Sequence, residues 1–271
     1  MESISNFLPN SKETYTAEEM RRLQVEQYNA EPGDLNKTDG IECAICKNKG
    51  WVQYLNEDGY ISMMKCSCDG KRKAFRRAKN SGLGEYLTKR LSDYNATEQW
   101  QISCKQKAKE FMEKHADDGT WFLACGTSGS GKTLLCSIIA NYLLYKKSRE
   151  VLYITWTDFI SRIKRNMLGD KANEVSNALD DIKTCDVLFM DEVVKSYTEA
   201  DLRYLIEILN YRYTNNKKTL ITSEKVLSEL LDIDEAAFGR AVEKSNGFII
   251  NIPKDRKKNY RLRVLGDNLP F

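Results

Sequence analysis

From about residue 120 onward the chain alternates short apolar runs with longer amphipathic stretches. Thr120–Cys125, Val151–Ile154, Val187–Met190, Thr219–Ser223 and Gly247–Ile252 are brief and mostly apolar, the way strands buried within a sheet read. Between them, apolar positions recur at helical spacing, over about 101–115, 134–147, 157–165, 174–182, 202–215, 227–231 and 234–242. In the stretch from Leu202, the side chains of Leu202, Leu205, Ile206 and Leu209 share one face. The alternation predicts an α/β domain, a parallel sheet held between helices.

The first eighty residues follow another pattern. Residues 1–14 are polar, and little order is expected there. Thr16 and Glu19 form a capping-box pair, so a helix should run from there to about Asn29, with Met20, Leu23 and Gln27 on one face. Glu31-Pro32-Gly33-Asp34 ends it. Trp51–Leu55 and Tyr60–Met64, joined by a turn at Asn56–Gly59, read as a β-hairpin. The turn-forming Asn80-Ser81-Gly82 divides a domain over 1–80 from one over 81–271.

Composition fits two such domains. The chain has 271 residues, 41% hydrophobic and 30% charged, with a formal net charge of only +3, so bulk charge does not by itself point to nucleic acid. No apolar run approaches the roughly 20 residues of a membrane span. The N-terminus lacks a basic segment followed by an apolar one, so the expected location is cytoplasmic, with no membrane partner. There a disulfide framework is not expected. Of the eight cysteines, Cys125, Cys136 and Cys185 fall in or beside core elements and read as small hydrophobes, whereas Cys43, Cys46, Cys66 and Cys68 are closely paired.

Residues 126–133, Gly-Thr-Ser-Gly-Ser-Gly-Lys-Thr, fit the phosphate-binding loop G-x-x-x-x-G-K-[ST]. The glycines Gly126, Gly129 and Gly131 let the backbone curl so that the N–H groups of Thr127, Ser128 and Ser130 point inward at phosphate oxygens. Lys132 can reach the β- and γ-phosphates, and the Thr133 hydroxyl can ligate Mg²⁺. The strand before the loop and the helix after it supply the context the motif requires, and the helix adds its positive end. Val187-Leu188-Phe189-Met190-Asp191-Glu192 is a buried strand with two acids at its end. Asp191 can hold Mg²⁺. Glu192 can orient and polarise the attacking water as a proton acceptor beside the γ-phosphate.

The cysteines frame the hairpin, Cys43-x-x-Cys46 before it and Cys66-x-Cys68 after it. Folding the hairpin brings the pairs together, and four thiolates can close a structural tetrahedral Zn²⁺ site. The competing readings are four free thiols or a redox pair at Cys43 and Cys46, and a redox pair would sit near a βαβ unit that this region lacks. Residues 71–79 carry six basic residues and no acid. They read equally as a nucleic-acid contact or a solvated helix face. A basic face at Arg162, Lys164 and Arg165 and a basic tail over 254–263 pose the same alternative. The single His115 reads as an exposed helix end, and one histidine excludes a histidine-based triad as the main chemistry.

With both nucleotide motifs, the strand end Thr222-Ser223-Glu224 and Arg240, the chain resembles AAA+ ATPases of the DnaC/DnaI helicase-loader type, close to the IstB-like group, over about residues 85–265. The cysteine hairpin resembles the zinc-containing helicase-binding region of DnaI-like loaders, phage versions included. The resemblance implies an AAA+ core using ATP and Mg²⁺, behind a small zinc-binding domain. It implies self-association through the ATPase domain, a replicative hexameric helicase as partner, and delivery of that helicase to single-stranded DNA. Lys132, Thr133, Asp191 and Glu192 match the family's nucleotide site. Arg240 matches its arginine finger, which would reach a neighbouring subunit's γ-phosphate, the alternative being a surface arginine. Two departures stand out. Where the family often has a sensor asparagine this chain has Glu224, which cannot donate a hydrogen bond when ionised and would repel phosphate. Ser223 or Thr222 then serves as sensor, or Glu224 points elsewhere. Only about 30 residues follow Arg240, too few for a helical lid, which leaves Arg261 as the candidate second sensor. The competing functions are a nucleotide-switched DNA-binding adaptor of the transposition-helper type and a small-molecule P-loop kinase.

Overall fold

The computed structural model describes residues 15–167 and 172–263, so the expectation for residues 1–14 lies outside the described residues. The chain divides into two compact units, Met1–Arg72 and Lys73–Phe271. The division falls within a helix, before the turn at Asn80–Gly82.

In the first unit, helix α1 (Ala17–Ala30) opens at Thr16 with the capping box in place: the Glu19 N–H donates to Thr16 Oγ1 at 3.2 Å and the Thr16 N–H to Glu19 Oε2 at 2.7 Å. The helix buries none of its residues, and Met20 and Leu23 stay exposed. It is tied instead by Asn29, whose side chain donates to the Gln53 carbonyl and accepts its N–H, at 2.9 and 3.0 Å. A short helix α2 (Leu35–Asp39) ends at Gly40 in the left-handed region. Strands β1 (Trp51–Leu55) and β2 (Ile61–Lys65) pair antiparallel, Trp51 opposite Lys65 and Leu55 opposite Ile61. Cys46, Cys66 and Cys68 form the buried centre, with Cys43 and Val52 packed against them. Helix α3 (Cys68–Ala78) starts on the last cysteine itself and runs across the division.

The second unit is built from α4 (Gln99–Lys114), β3 (Phe122–Gly126), α5 (Lys132–Lys146), β4 (Val151–Thr155), α6 (Trp156–Met167), α7 (Ala172–Thr184), β5 (Val187–Asp191), α8 (Glu199–Thr214), β6 (Lys218–Ser223), α9 (Leu227–Ile233), α10 (Glu235–Ser245), β7 (Ile249–Ile252) and α11 (Tyr260–Arg263). The five strands β3–β7 form a parallel sheet in the order β4-β5-β6-β3-β7. Every residue of β3, β5 and β6 is buried, which is why β3 and β5 run apolar without alternation, while the polar residues of β6 are buried with hydrogen-bond partners. Helices cover both faces. Phe159, Ile163, Leu205, Ile208, Leu209, Phe238 and Ala241 pack with Leu123, Leu188, Met190 and Ile221 in one core. Leu202 and Ile206 lie at its margin, and Ile208 takes the buried position between Leu205 and Leu209. Strand β7 is shorter than its apolar run, because Asn246 and Gly247 turn at positive φ ahead of it.

Two buried cations brace the end of the sheet away from the phosphate loop. Arg212 is fully buried. Its guanidinium donates to the carbonyls of Ile182, Lys183, Cys185 and Lys218 and to Thr219 Oγ1, joining the end of α7 to β6. Lys218, also buried, donates to the His115 and Thr120 carbonyls at 2.6 and 2.9 Å, and burial pulls its pKa down to about 8. His115 is not the exposed end expected. It is half-buried, its Nδ1 lies 2.7 Å from Asp118, and its ring packs edge-on to Phe248. The reason is its packing: the ring sits against Phe111 and Phe248, and its carbonyl accepts from the buried Lys218.

Candidate functional site

The sheet order places β6 between β3 and β5, so the end of β6 lies between the phosphate loop and the acid pair. Gly126, Gly129 and Gly131 all have positive φ. A Cβ on Gly126 would sit 1.8 Å from the Ile252 carbonyl oxygen, and one on Gly131 would press the Tyr94 ring at 3.0 Å, so neither position tolerates a side chain. Lys132 opens α5 and is buried. Its ammonium donates to the loop's own Gly126 and Thr127 carbonyls at 2.9 and 2.6 Å. Desolvation lowers its pKa, against the opposing charges of Glu224 and Asp191. A buried ammonium folded onto its own loop, at a helix N-terminus, suits an incoming phosphate.

Asp191, at the end of β5, is buried and surrounded by hydroxyls. Thr133 Oγ1 donates to its Oδ1 at 2.9 Å, Tyr153 to its Oδ2 at 3.0 Å, and Thr222 also donates to Oδ1. Thr133 and Asp191 are thus brought together as two oxygen donors, the hard ligand set that Mg²⁺ prefers. Glu192 follows in a left-handed turn, φ 55°, its N–H donating to Thr222 Oγ1 at 3.0 Å. One hydroxyl, Thr222, therefore bonds both the Asp191 carboxylate and the Glu192 backbone.

Of the strand-end candidates, Ser223 borders the cleft but its hydroxyl is already engaged. Its Oγ donates to the Val193 carbonyl at 2.8 Å and accepts the Lys225 N–H, because successive strand residues point to opposite faces. Glu224 lies over the loop, accepting from Ser128 Oγ at 2.6 Å. Thr127 is also diverted. Its N–H donates to the Ile252 carbonyl, and its hydroxyl donates to the Pro253 carbonyl and accepts the Asp255 N–H. The tail thus straps the loop, and the Tyr260 N–H closes the strap on the Gly129 carbonyl at 2.9 Å.

A cleft of about 400 Å³ opens beside the loop. Ser128, Gly129, Ser130, Gly131, Lys132, Thr133, Glu192, Ser223 and Glu224 line its phosphate end. Tyr86, Lys89, Tyr94, Trp100, Lys258 and Arg261 line the remainder. The wall from Tyr86 to Trp100 carries no motif. Only its aromatic content marks it in the sequence. Arg261 therefore reaches the cleft. Arg240 does not line it; on α10 it donates to its own Ala236 carbonyl at 3.0 Å.

In the first unit the four cysteines converge, all ligand atoms within 4.8 Å of one another. Cys43 Sγ lies 3.7 Å from Cys66 Sγ and Cys46 Sγ 3.6 Å from Cys68 Sγ. A tetrahedron with Zn–S bonds of about 2.3 Å has edges of about 3.8 Å, so the spacing fits zinc, and it is far too long for S–S bonds. The Gly50 N–H donates to Cys46 Sγ and Arg72 Nε to Cys68 Sγ, at 3.2 and 3.5 Å. Burial resists ionisation of Cys46, but the Gly50 N–H and the neighbouring thiols outweigh it and bring that thiol to about 7. Arg72 is buried against Asp39 and the Ile41 carbonyl. Of the basic run 71–79, then, Arg72 is structural, and Arg77 pairs with Glu150. On α6, Lys164 pairs with Asp201 at 2.6 Å and Arg162 stacks on Phe159, so that basic face is also partly engaged.

The profile of the bacterial DnaA ATPase domain matches residues 103–243, about half of the chain. The chain belongs to the bacterial DnaA ATPase-domain family. Within this AAA+ family it is 30% identical to the YqaM protein of Bacillus subtilis (strain 168) over 249 residues, 85% of this chain and 76% of that protein. It is 26% identical to the phage-like element PBSX protein XkdC of the same organism over 225 residues, 78% of this chain and 82% of XkdC. It is 24% identical to the replicative helicase loader DnaC of Buchnera aphidicola subsp. Acyrthosiphon pisum (strain APS), over 76% of this chain and 80% of that protein. Among solved structures, DnaA bound to AMPPCP and single-stranded DNA superposes with a TM-score of 0.51 at 20% identity, covering 65% of this chain and 53% of that one. These likenesses agree with the AAA+ P-loop fold seen here, and the ATPase assignment follows from the family. No helix among the described residues is long and apolar enough to cross a membrane.

Proposed function

We propose that this DnaC-like AAA+ ATPase is a cytoplasmic helicase loader: it binds a hexameric replicative helicase and delivers it to single-stranded DNA, with ATP turnover governed by self-association. The observation that carries the reading is the pairing, in one chain related to DnaC over most of its length, of a P-loop and acid-pair cleft with a separate Cys₄ hairpin unit. In this reading the loop Gly126–Thr133 holds the phosphates and Lys132 leaves its loop carbonyls for them. Thr133 and Asp191 hold Mg²⁺, which when bound offsets charge on the phosphate oxygens. Glu192 accepts the proton of the attacking water. Arg261 contacts nucleotide from the tail. Arg240, which does not line its own cleft, serves a neighbouring subunit. Zinc on Cys43, Cys46, Cys66 and Cys68 holds the domain over 1–80 in shape for the helicase.

Co-purification with a hexameric replicative helicase, with and without ATP, tests the loader reading. Retention of the helicase by the full chain is expected, and no complex in either condition refutes it. A chain that retains no helicase yet binds single-stranded DNA would instead favour an adaptor. Lys132→Ala should abolish ATP binding, and wild-type affinity in that variant would refute the cleft assignment.

A further inference from the structure

The acid pair does not stand alone. Lys195 Nζ lies 3.2 Å from both carboxylate oxygens of Glu192 and 3.6 Å from Glu224 Oε2. Glu224 in turn holds the phosphate-loop hydroxyl of Ser128. One ammonium therefore sits between two carboxylates that both line the cleft, while Lys195 itself does not line it. The backbone enforces this. Glu192 and Val194 both adopt positive φ, 55° and 52°, and a β-branched residue there is strained. Hydrogen bonds from the Val193 N–H to the Thr222 carbonyl, and from Ser223 Oγ to the Val193 carbonyl, hold the strained turn shut. The turn folds Lys195 back over Glu192. Hydrogen bonding to Glu192 raises the Lys195 pKa; at Glu224 burial opposes ionisation, but the Ser128 hydrogen bond and the charge of Lys195 outweigh it and lower the pKa.

We propose that Lys195 is the positioning residue that lets an acid occupy the end of β6 beside a triphosphate: it cancels one of the two carboxylate charges facing the γ-phosphate and fixes the Glu192 carboxylate through both oxygens. This rests on the nucleotide reading of the cleft. It explains how Glu224 stands at this position without expelling ATP. Without Lys195, two uncompensated carboxylates face the phosphate end. ATP carries there a γ-phosphate that ADP lacks, so the penalty falls on ATP selectively.

The test measures ATP and ADP affinities by calorimetry on the full chain for wild type, Lys195→Ala, Lys195→Arg and Lys195→Ala with Glu224→Gln. Lys195→Ala should lose about threefold to fivefold in ATP affinity with little change for ADP, the size expected for one partly exposed charge. Glu224→Gln in the same chain should restore most of the ATP affinity by removing the uncompensated charge, and Lys195→Arg should retain it. Equal losses for ATP and ADP, or no recovery on adding Glu224→Gln, would overturn the proposal. Wild-type chain that binds neither nucleotide would refute the cleft reading itself, a distinct result.

Discussion

Thr222 offers the sharpest handle on the site. Its hydroxyl donates to Asp191 and accepts the Glu192 N–H at 3.0 Å, and the side chain is 1% exposed. Thr222→Val keeps the side-chain volume and removes both bonds. Asp191 retains Thr133 and Tyr153 as donors, whereas the Glu192 N–H loses its bonded acceptor. A lost hydrogen bond to a charged group costs about 1.5–3 kcal/mol and a neutral one about 0.5–1, so the variant should lose about 2–4 kcal/mol. For the ATPase unit that is a fall in Tm of roughly 4–16 °C. With the Asp191 carboxylate and the Glu192 backbone each losing an anchor, the acid pair loses its shared register, so ATP turnover should drop about tenfold, a barrier rise of about 1.4 kcal/mol. Thermal unfolding and steady-state phosphate release at saturating Mg-ATP measure the two effects, with Thr222→Ser as the control that keeps the oxygen. A Val variant with unchanged Tm and unchanged turnover would show that Thr222 does not organise the acids.

Elemental analysis should find about one zinc per chain, and Cys46→Ser should lose it; a folded first unit without metal refutes the cluster. Arg212→Met leaves a set of buried carbonyls without their donor and should cost about 3–5 kcal/mol in urea unfolding, so a loss below about 1 kcal/mol would show that water replaces the guanidinium. Burial opposes ionisation of Asp118, but hydrogen bonds from His115 and Thr120 hold its carboxyl down to about 2. Its folded pKa lies below the unfolded value, so this stabilisation is complete above pH about 4 and disappears as pH falls through about 2. Asp118→Asn should flatten that acid limb of the stability curve, and an unchanged limb would mean the carboxyl is not bonded as described.

Most elements of the ATPase unit were legible because strands buried on both faces tend to run apolar, as Val187–Met190 does. The phosphate loop and the acid pair were legible because their chemistry fixes both residue type and spacing. The position of β6 between them was not, since strand order is a non-local property, and so the roles of Thr222 and Ser223 stayed open. Which of two adjacent residues faces a site depends on strand register, and here that gives Thr222 the acids and Ser223 the Val193 carbonyl. Arg72 misled for a related reason. A run of basic residues looks solvated, but Asp39, which buries one of them, lies 33 positions away. Lys195 carried no motif, and only the turn geometry brings it onto Glu192.

The strap has a consequence for how the protein is made. Thr127 is bonded to Pro253 and Asp255, 126 and 128 positions further along. A nascent chain therefore emerges from the ribosome with its phosphate loop translated but without the residues that hold it in shape. Chains truncated before Ile252 should not be retained on immobilised nucleotide, whereas chains released after Tyr260 should be. The triphosphate cannot then act as an early template for folding; the cleft matures only once the strap over residues 252–260 has been made.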